Sequence, residues 1–389
     1  MFKIKRLNSI SNVVYEYLPH DKYEISEDVS DYDAILVRSA KCHDLDMPES
    51  LLAIARAGAG VNNIPVDACA KKGIVVFNTP GANANGVKEL VLAGMLIASR
   101  HIIEASEWVK SLKGKGDEVL PLVEKGKNQF VGPEIEGKTL GVIGLGAIGV
   151  MVANAARSLG MRVIGYDPYI SIESAWGLDH DVQRAISLDS VLVNADYITL
   201  HIPLMDQTKS FIGTAEIAKM KQNVILLNFA RNGLIDYEAL YDALDNKKIS
   251  RYVTDFPNDK LLAYDNVISI PHLGASTPES EENCAVMAAT ELRDYLEMGK
   301  IVNSVNMPNA VLPFTGKFRV AVIHGNVTGM VGQITALLAE SGANITDMVN
   351  KSKGEIAYTV INLDETVDTH TIEKIKAVGS VIRVRTFAK

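Results

Sequence analysis

The sequence predicts an α/β protein with two doubly wound, parallel-sheet domains and a smaller C-terminal α+β domain of ferredoxin-like plan. Three observations carry this. Short apolar runs alternate with helix-compatible stretches from the N-terminus to about residue 300. One pair of runs, within Thr139 to Asp167, encloses Gly144-Leu145-Gly146-Ala147-Ile148-Gly149. After Pro313 the composition shifts, and Phe318 to Lys389 reads as a compact unit of its own. With 389 residues, 47% hydrophobic and 22% charged, the chain can fill two or three proper cores.

Composition also excludes. No uninterrupted apolar segment approaches membrane-spanning length, and the start, MFKIKRLNSI, lacks the apolar core and small-residue cleavage site of a signal peptide. A cytoplasmic protein without a membrane partner is expected. A net charge of −8 with no basic run argues against nucleic acid. Cys42, Cys69 and Cys284 are scattered and lack close His or Cys company, so neither a disulfide framework nor a metal site is expected.

In the first part of the chain, apolar runs at Ala34 to Val37, Leu51 to Ala57 and Ile74 to Phe77 end in polar or glycine-rich turns. These turns are Arg38-Ser39-Ala40-Lys41, Gly58-Ala59-Gly60-Val61-Asn62-Asn63 and Asn78-Thr79-Pro80-Gly81-Ala82-Asn83. In open α/β sheets ligands bind beyond the carboxyl ends of strands, so such turns are expected to face one crevice. Asn85 to about Lys110 reads as one long helix, with an apolar stripe that includes Val87, Val91, Met95 and Ala98. Burial within the monomer and a subunit contact explain the stripe equally well.

The stretch from Thr139 to Asp167 has the order of a βαβ dinucleotide site. Gly144 allows the tight turn, Gly146 lets the backbone approach a pyrophosphate, and Gly149 lets the helix pack close to the strand. Ala147 and Ile148 open the helix whose N-terminus faces the anion. Asp167, about 20 residues further on, can accept hydrogen bonds from the ribose hydroxyls and would repel a 2′-phosphate. NAD is therefore the expected cofactor, rather than NADP.

Beyond Asp167 the α/β rhythm continues through runs at Tyr197 to Ile202, Val224 to Asn228, Tyr252 to Phe256 and Val267 to Ile270. His201, Pro203, Ala230, Arg231, Asp255, His272 and Gly274 fall at or just after their ends, where they would ring the nicotinamide. Oxidation of a 2-hydroxy acid needs a cation for the carboxylate and a group that takes the hydroxyl proton. Arg231 offers the bidentate fork, and His272 has the side chain suited to acid–base work near neutral pH.

These motifs together resemble the D-isomer-specific 2-hydroxyacid dehydrogenase family over essentially the whole chain. The matching segments are Leu36-Val37-Arg38-Ser39-Ala40, Arg56-Ala57-Gly58-Ala59-Gly60-Val61, Asn78-Thr79-Pro80, the glycine motif, Gly165-Tyr166-Asp167-Pro168, Ala230-Arg231-Asn232-Gly233 and Pro271-His272-Leu273-Gly274-Ala275-Ser276-Thr277. The resemblance implies a flavodoxin-like substrate domain over 1–98 and 281–312, an NAD-binding Rossmann domain over 99–280, and an ACT regulatory domain over 317–389. It implies Arg231 as the substrate-binding arginine, His272 as the acid–base residue and Asp255 as the partner of the nicotinamide carboxamide. Arg38, Ser39, Arg56, Gly58, Gly60 and Asn62 would serve the substrate. Lys127 stands where phosphate-handling members carry a basic residue, which favours 3-phosphoglycerate as substrate; a solvated loop lysine is the equal alternative.

One departure concerns the glutamate that the family places against the catalytic histidine. This chain reads Asp255-Phe256-Pro257-Asn258-Asp259-Lys260. Ungapped counting puts Lys260 at the glutamate position, and a one-residue deletion puts Asp259 there. A carboxylate stabilises an imidazolium and a lysine does not, so Asp259 is taken as the partner of His272.

The tail resembles an ACT domain, in which His324, Asn326 and Asn344 would hold L-serine as an effector; a purely structural dimerisation domain is the alternative. A homodimer or homotetramer is expected. The resemblance implies the first step of L-serine biosynthesis. A hydroxypyruvate or glyoxylate reductase and a non-catalytic NAD sensor on the same fold remain alternatives.

Overall fold

The computed structural model describes residues 1–389 as two compact units, Met1–Ala82 with Glu281–Lys389 and Asn83–Ser280. In the first unit, strands β1 (Phe2–Leu7), β2 (Tyr23–Ser26), β3 (Ala34–Val37), β4 (Ala53–Arg56) and β5 (Val75–Asn78) form a parallel sheet of order β2-β1-β3-β4-β5. That is a doubly wound order. Ala34–Val37 is buried along its whole length, so it shows an unbroken apolar run rather than alternation.

The second unit carries β6 (Thr139–Ile143), β7 (Arg162–Tyr166), β8 (Gln183–Arg184), β9 (Tyr197–Leu200), β10 (Val224–Asn228), β11 (Ile249–Thr254) and β12 (Val267–Ser269). Their order is β12-β11-β10-β9-β6-β7-β8, all parallel, with the switch of direction between β6 and β9. Ligands in such sheets bind beyond the carboxyl ends at this switch. Gly144 and His201 follow β6 and β9 there.

The single helix expected from Asn85 to about Lys110 is two helices, Ala84–Arg100 and Ile102–Ser111. His101 breaks them with φ 50°, a left-handed conformation that ends the hydrogen-bond ladder. The first helix buries Val87, Val91, Met95 and Ala98 in the core beneath β6, β10 and β11. Gly94 lets it approach closely, since a Cβ there would lie 3.1 Å from Val253 and 3.2 Å from Phe229. This stripe is therefore core, and residues 83–98, expected in the substrate domain, belong to the second unit.

The C-terminal sheet is antiparallel, β14-β15-β13-β16, from β13 (Phe318–Gly325), β14 (Ile345–Lys353), β15 (Ile356–Leu363) and β16 (Val381–Ala388). Helices Met330–Glu340 and Thr369–Lys376 complete a βαββαβ order. One sheet face, with Val320, Val322 and Ile361, packs on these helices. The other, with Ala321, Ile323, Tyr358 and Val360, shares a core with Phe77, Leu292 and Tyr295 of the first unit. The tail is thus not a compact unit of its own. Arg319, 1% exposed, ties it down: its guanidinium donates to Asn362 Oδ1 (2.8 Å), Met298 O (2.7 Å) and Leu312 O (2.8 Å). Arg383 and Arg385 donate likewise to the carbonyls of Leu51 (2.8 Å) and Tyr295 (2.7 Å).

Candidate active site

The glycine turn has the geometry its sequence requires. Gly144 has φ 93°, and a Cβ there would stand 2.6 Å from the His201 carbonyl oxygen. A Cβ on Gly149 would overlap the carbonyl oxygen of Gly144, so the helix Ala147–Ser158 starts in close contact with the strand it follows. Gly146, in contrast, faces open space, with no atom within 4 Å of where a Cβ would lie. It leaves room for a pyrophosphate beside the free N–H groups of Ala147 and Ile148.

Asp167 follows β7 and caps this turn. Its Oδ2 accepts from the Leu145 N–H and its Oδ1 from the Tyr169 N–H, both at 2.8 Å. Each oxygen keeps a lone pair for a ribose hydroxyl.

At the other side of the switch, β10, β11 and β12 deliver Arg231, Asp255 and His272 to one sheet edge. Asn228 shapes the first loop, accepting from the Ala230 N–H (3.1 Å) and donating to the Arg231 carbonyl (3.1 Å). Thr254 accepts from the Phe256 N–H at 3.1 Å and holds the chain after β11. Asp255 is 2% exposed, and neither carboxylate oxygen has a hydrogen-bond partner. Burial pushes its pKa up, opposed by the electrostatic influence of His272 and Arg231. A Cβ on Gly274 would lie 3.9 Å from Asp255 Oδ2 and 3.1 Å from Val87. Two orphaned acceptors in a buried place suit a carboxamide N–H₂, so these residues fit the nicotinamide end of NAD.

His201 has its Nε2 3.0 Å from Thr199 Oγ1, while Nδ1 is inaccessible and unpartnered. Burial drops its pKa to about 3, so the ring is neutral. Pro203 opens the next loop, where its carbonyl accepts from Thr208 Oγ1 at 2.7 Å.

The structure does not join Asp259 to His272. No hydrogen bond or ion pair links them; the His272 ring meets the edge of Phe256, centroids 4.9 Å apart. Lys260 is turned away, with Nζ 3.7 Å from the Tyr241 ring centroid and 3.3 Å from Glu238. The nearby carboxylate is Asp255, already named for another role.

In the first unit, the predicted substrate residues gather at the ends of β3 and β4. Arg56 donates Nε to the Arg38 carbonyl (2.8 Å) and Nη1 to the Gly60 carbonyl. Gly58 has φ 155°, and a Cβ on Gly60 would stand 2.8 Å from the Arg56 guanidinium. Asn62 Oδ1 lies 3.9 Å from that same point. Arg38 pairs with Glu281 at 2.6 Å. Ser39 and Ala40 donate their N–H groups to Asn8 Oδ1 (3.1 and 2.7 Å), a support that sequence reasoning missed. Asn8 has φ 75°, which asparagine tolerates, but nothing in the sequence pairs it with residue 39. Lys127 is exposed and bound to Glu124 of its own turn.

Of the predicted effector residues, His324 and Asn326 stand at and just after the end of β13, and Asn344 just before β14. His324 is 2% exposed, with Nδ1 2.8 Å from Gly325 O and Nε2 2.8 Å from Thr359 Oγ1. Asn326 and Asn344 are exposed; the first donates to Gly354 O at 3.1 Å.

Residues 92–274 match the family model for the NAD-binding domain of D-isomer specific 2-hydroxyacid dehydrogenases. D-3-phosphoglycerate dehydrogenase of Escherichia coli is 32% identical over 396 residues, 98% of this chain and 93% of that protein. The chain belongs to the D-isomer specific 2-hydroxyacid dehydrogenase family. The enzyme of the same name from Methanocaldococcus jannaschii is 39% identical over 345 residues, which are 86% of this chain but 62% of that protein. The chain thus spans about three fifths of the length of the first such relatives. Among solved structures, NAD⁺-bound 3-phosphoglycerate dehydrogenase of Entamoeba histolytica superposes with a TM-score of 0.60 at 27% identity, covering 80% of this chain and 99% of that one. Within this family the second unit is the NAD-binding domain, and no helix of the chain is long and apolar enough to cross a membrane.

Proposed function

We propose that this protein is an NAD-dependent D-3-phosphoglycerate dehydrogenase that oxidises 3-phospho-D-glycerate to 3-phosphohydroxypyruvate. The observation that carries the reading is the buried, unpartnered Asp255 carboxyl, flanked by Arg231 and His272 at the sheet edge that also bears the glycine turn. The glycine turn, Asp167 and Asp255 would hold NAD, which would supply the acceptor for the C2 hydrogen and its electron pair. Arg231 holds the substrate carboxylate and polarises the C2 oxygen. His272 takes the hydroxyl proton as C2 becomes a carbonyl, and returns it in the reverse direction. Asp255 would accept from the carboxamide N–H₂ and so orient the nicotinamide.

Phosphate would compete with Glu281 for the half-exposed Arg38, and with Glu124 for Lys127. Arg56, Gly58, Gly60, Ser39 and Asn62 would shape the rest of the substrate loop. Exposed Ile102, Val109, Leu120 and Val131 support a homodimer or homotetramer. The βαββαβ order of the tail supports its reading as an ACT domain. L-serine as effector would rest on Asn326 and Asn344, since both ring nitrogens of His324 are engaged.

The test is NADH formation with 3-phosphoglycerate, glycerate, lactate and glyoxylate-type substrates in both directions. Oxidation of 3-phosphoglycerate is expected to dominate, and His272→Ala should lower it about 10²- to 10⁴-fold. Equal rates on glycerate would sink the substrate assignment, and near-normal turnover in the variant would sink the role of the histidine.

A further inference from the structure

The first unit holds a cavity of about 210 Å³ beside the C-terminal half of helix Pro278–Met298, lined by none of the residues assigned above. That is well beyond the ~30 Å³ share of one water. Met287 and Val302 give it an apolar wall, and Thr290, Glu291, Asp294, Lys300 and Asn303 its polar groups. Glu291 is 7% exposed, and only one of its oxygens is satisfied: Oε1 accepts from Asn303 Nδ2 at 2.8 Å, while Oε2 is buried without a partner. Lys300 is anchored through Asp294 Oδ2 at 2.8 Å, and its remaining N–H donors are free. Asp294 also accepts from Arg293 at 2.9 Å, so its charge is already balanced.

A buried carboxyl oxygen left unpaired is costly and calls for a donor. A bare metal ion is poorly matched, because the Lys300 ammonium lines the same space and no cluster of three or more His, Cys, Asp or Glu stands there to ligate one. An acceptor and an ammonium in one small cavity with an apolar wall match a molecule carrying both charges and a short hydrocarbon group. We infer that this cavity binds a small aliphatic α-amino acid, its ammonium on Glu291 and Thr290, its carboxylate on Lys300, and its side chain against Met287 and Val302.

The cavity wall is structurally placed to matter. Gly299 O accepts from Tyr358 of β15 at 2.7 Å, and Ser304 O from Lys353 of β14 at 3.1 Å. Ser304 also bridges to Phe77 of β5. A ligand here stiffens the segment that joins the first sheet to the C-terminal one, so binding should also raise the melting temperature.

The experiment is calorimetric titration of the full chain with L-alanine, ethylammonium and propionate. L-alanine is expected to bind, ethylammonium at least tenfold more weakly, and propionate not measurably. Burial pushes the Glu291 carboxyl up to about 8, so at pH 7 binding of the ammonium should release nearly one proton, read as a dependence of the heat on buffer ionisation enthalpy. Glu291→Gln, which keeps the acceptor for Asn303, should weaken L-alanine at least tenfold and abolish the proton release. Lys300→Met should weaken L-alanine while leaving ethylammonium unchanged. Asn344→Ala, on the tail, should change nothing. Absence of L-alanine binding, equal affinity in Glu291→Gln, ethylammonium binding as well as L-alanine, or loss of binding in Asn344→Ala alone would each overturn the inference. None of these outcomes bears on the dehydrogenase assay, so the two readings fail separately.

Discussion

Lys260 holds its ammonium 3.7 Å from the centroid of the Tyr241 ring, on the face of the second unit where Glu238 also reaches it at 3.3 Å. This contact accounts for a lysine at the place where a family glutamate would be counted without a gap. The residue is turned outward and serves packing.

Lys260→Met should therefore leave kcat and its pH profile unchanged and lower stability by about 0.5–1 kcal/mol, the worth of a cation–π contact at an exposed site. Denaturant titration and initial rates check both halves. A shifted pH profile in this variant would return the lysine to the reacting centre.

Much of the fold could be read from the sequence because its signals are local. The glycine turn, the strand runs and the βαββαβ tail each depend on residues within a few positions of one another. The placement of Asp255 and His272 just after neighbouring strands was legible because the carboxyl ends of strands in a parallel sheet lie side by side. What could not be read was long-range. Asn8 supports Ser39 across the sheet, and Arg319 reaches carbonyls at Met298 and Leu312, through contacts that leave no periodic trace. The tail sheet is covered on both faces, so its strands look like those of an independent core although one face is shared. His101 shows no helix-breaking signal of its own, yet it splits the long helix. The pairing of Asp259 with His272 is of another kind: it infers a side-chain direction from a count along a loop, and the structure shows no bond between the two, with the ring of Phe256 against His272 instead.

Asp255 gives the second prediction. Its carboxyl pKa is raised above the ordinary 3.8, which makes it a destabilising group wherever the unfolded chain would ionise. Below that pH both states are protonated and nothing is lost; as pH rises the unfolded state releases its proton first, and the penalty grows until the folded carboxyl ionises too. Asp255→Asn should then raise the melting temperature of the NAD-free protein at pH 7 to 8 but not at pH 3. The same change should raise the KM for NAD at least tenfold, because an amide offers one acceptor where the carboxylate offers two. Unchanged KM would remove Asp255 from the cofactor site.

Asp167 gives the third. Its two oxygens hold the N–H groups of Leu145 and Tyr169, so the residue orders the glycine turn, and each oxygen keeps a lone pair that the proposed ribose contact would use. Asp167→Ala should lower NAD affinity about tenfold, a loss on the order of 1.4 kcal/mol, and shrink the preference over NADP by relieving repulsion of the 2′-phosphate. Fluorescence titration with NADH and NADPH measures both. A variant that kept its full preference would place the discrimination elsewhere.

Arg319 gives the last. It is buried in a strand, its guanidinium has no carboxylate partner, and burial lowers its pKa. What holds the charge is a set of three oxygens from three segments: Asn362 in β15, Met298 at the end of the long helix, and Leu312 in the connection to the tail. The ring of Phe314 lies under the guanidinium carbon at 4.5 Å. Arg319→Met keeps much of the side-chain volume and removes the charge, but it leaves three acceptors facing one another without a donor. Each lost charged hydrogen bond is worth roughly 1.5–3 kcal/mol, with the relief of desolvating the guanidinium as the opposing effect. The net cost should be about 3 kcal/mol. It should fall on the docking of the tail before it falls on the NAD-binding domain, since Arg319 makes its contacts only within the first unit. Limited proteolysis should accordingly cut the variant first near residues 310–317, releasing a C-terminal fragment while the NAD-binding domain stays intact. Cleavage at the wild-type rate, with an unchanged melting temperature, would show that the shared apolar core holds the tail without the arginine.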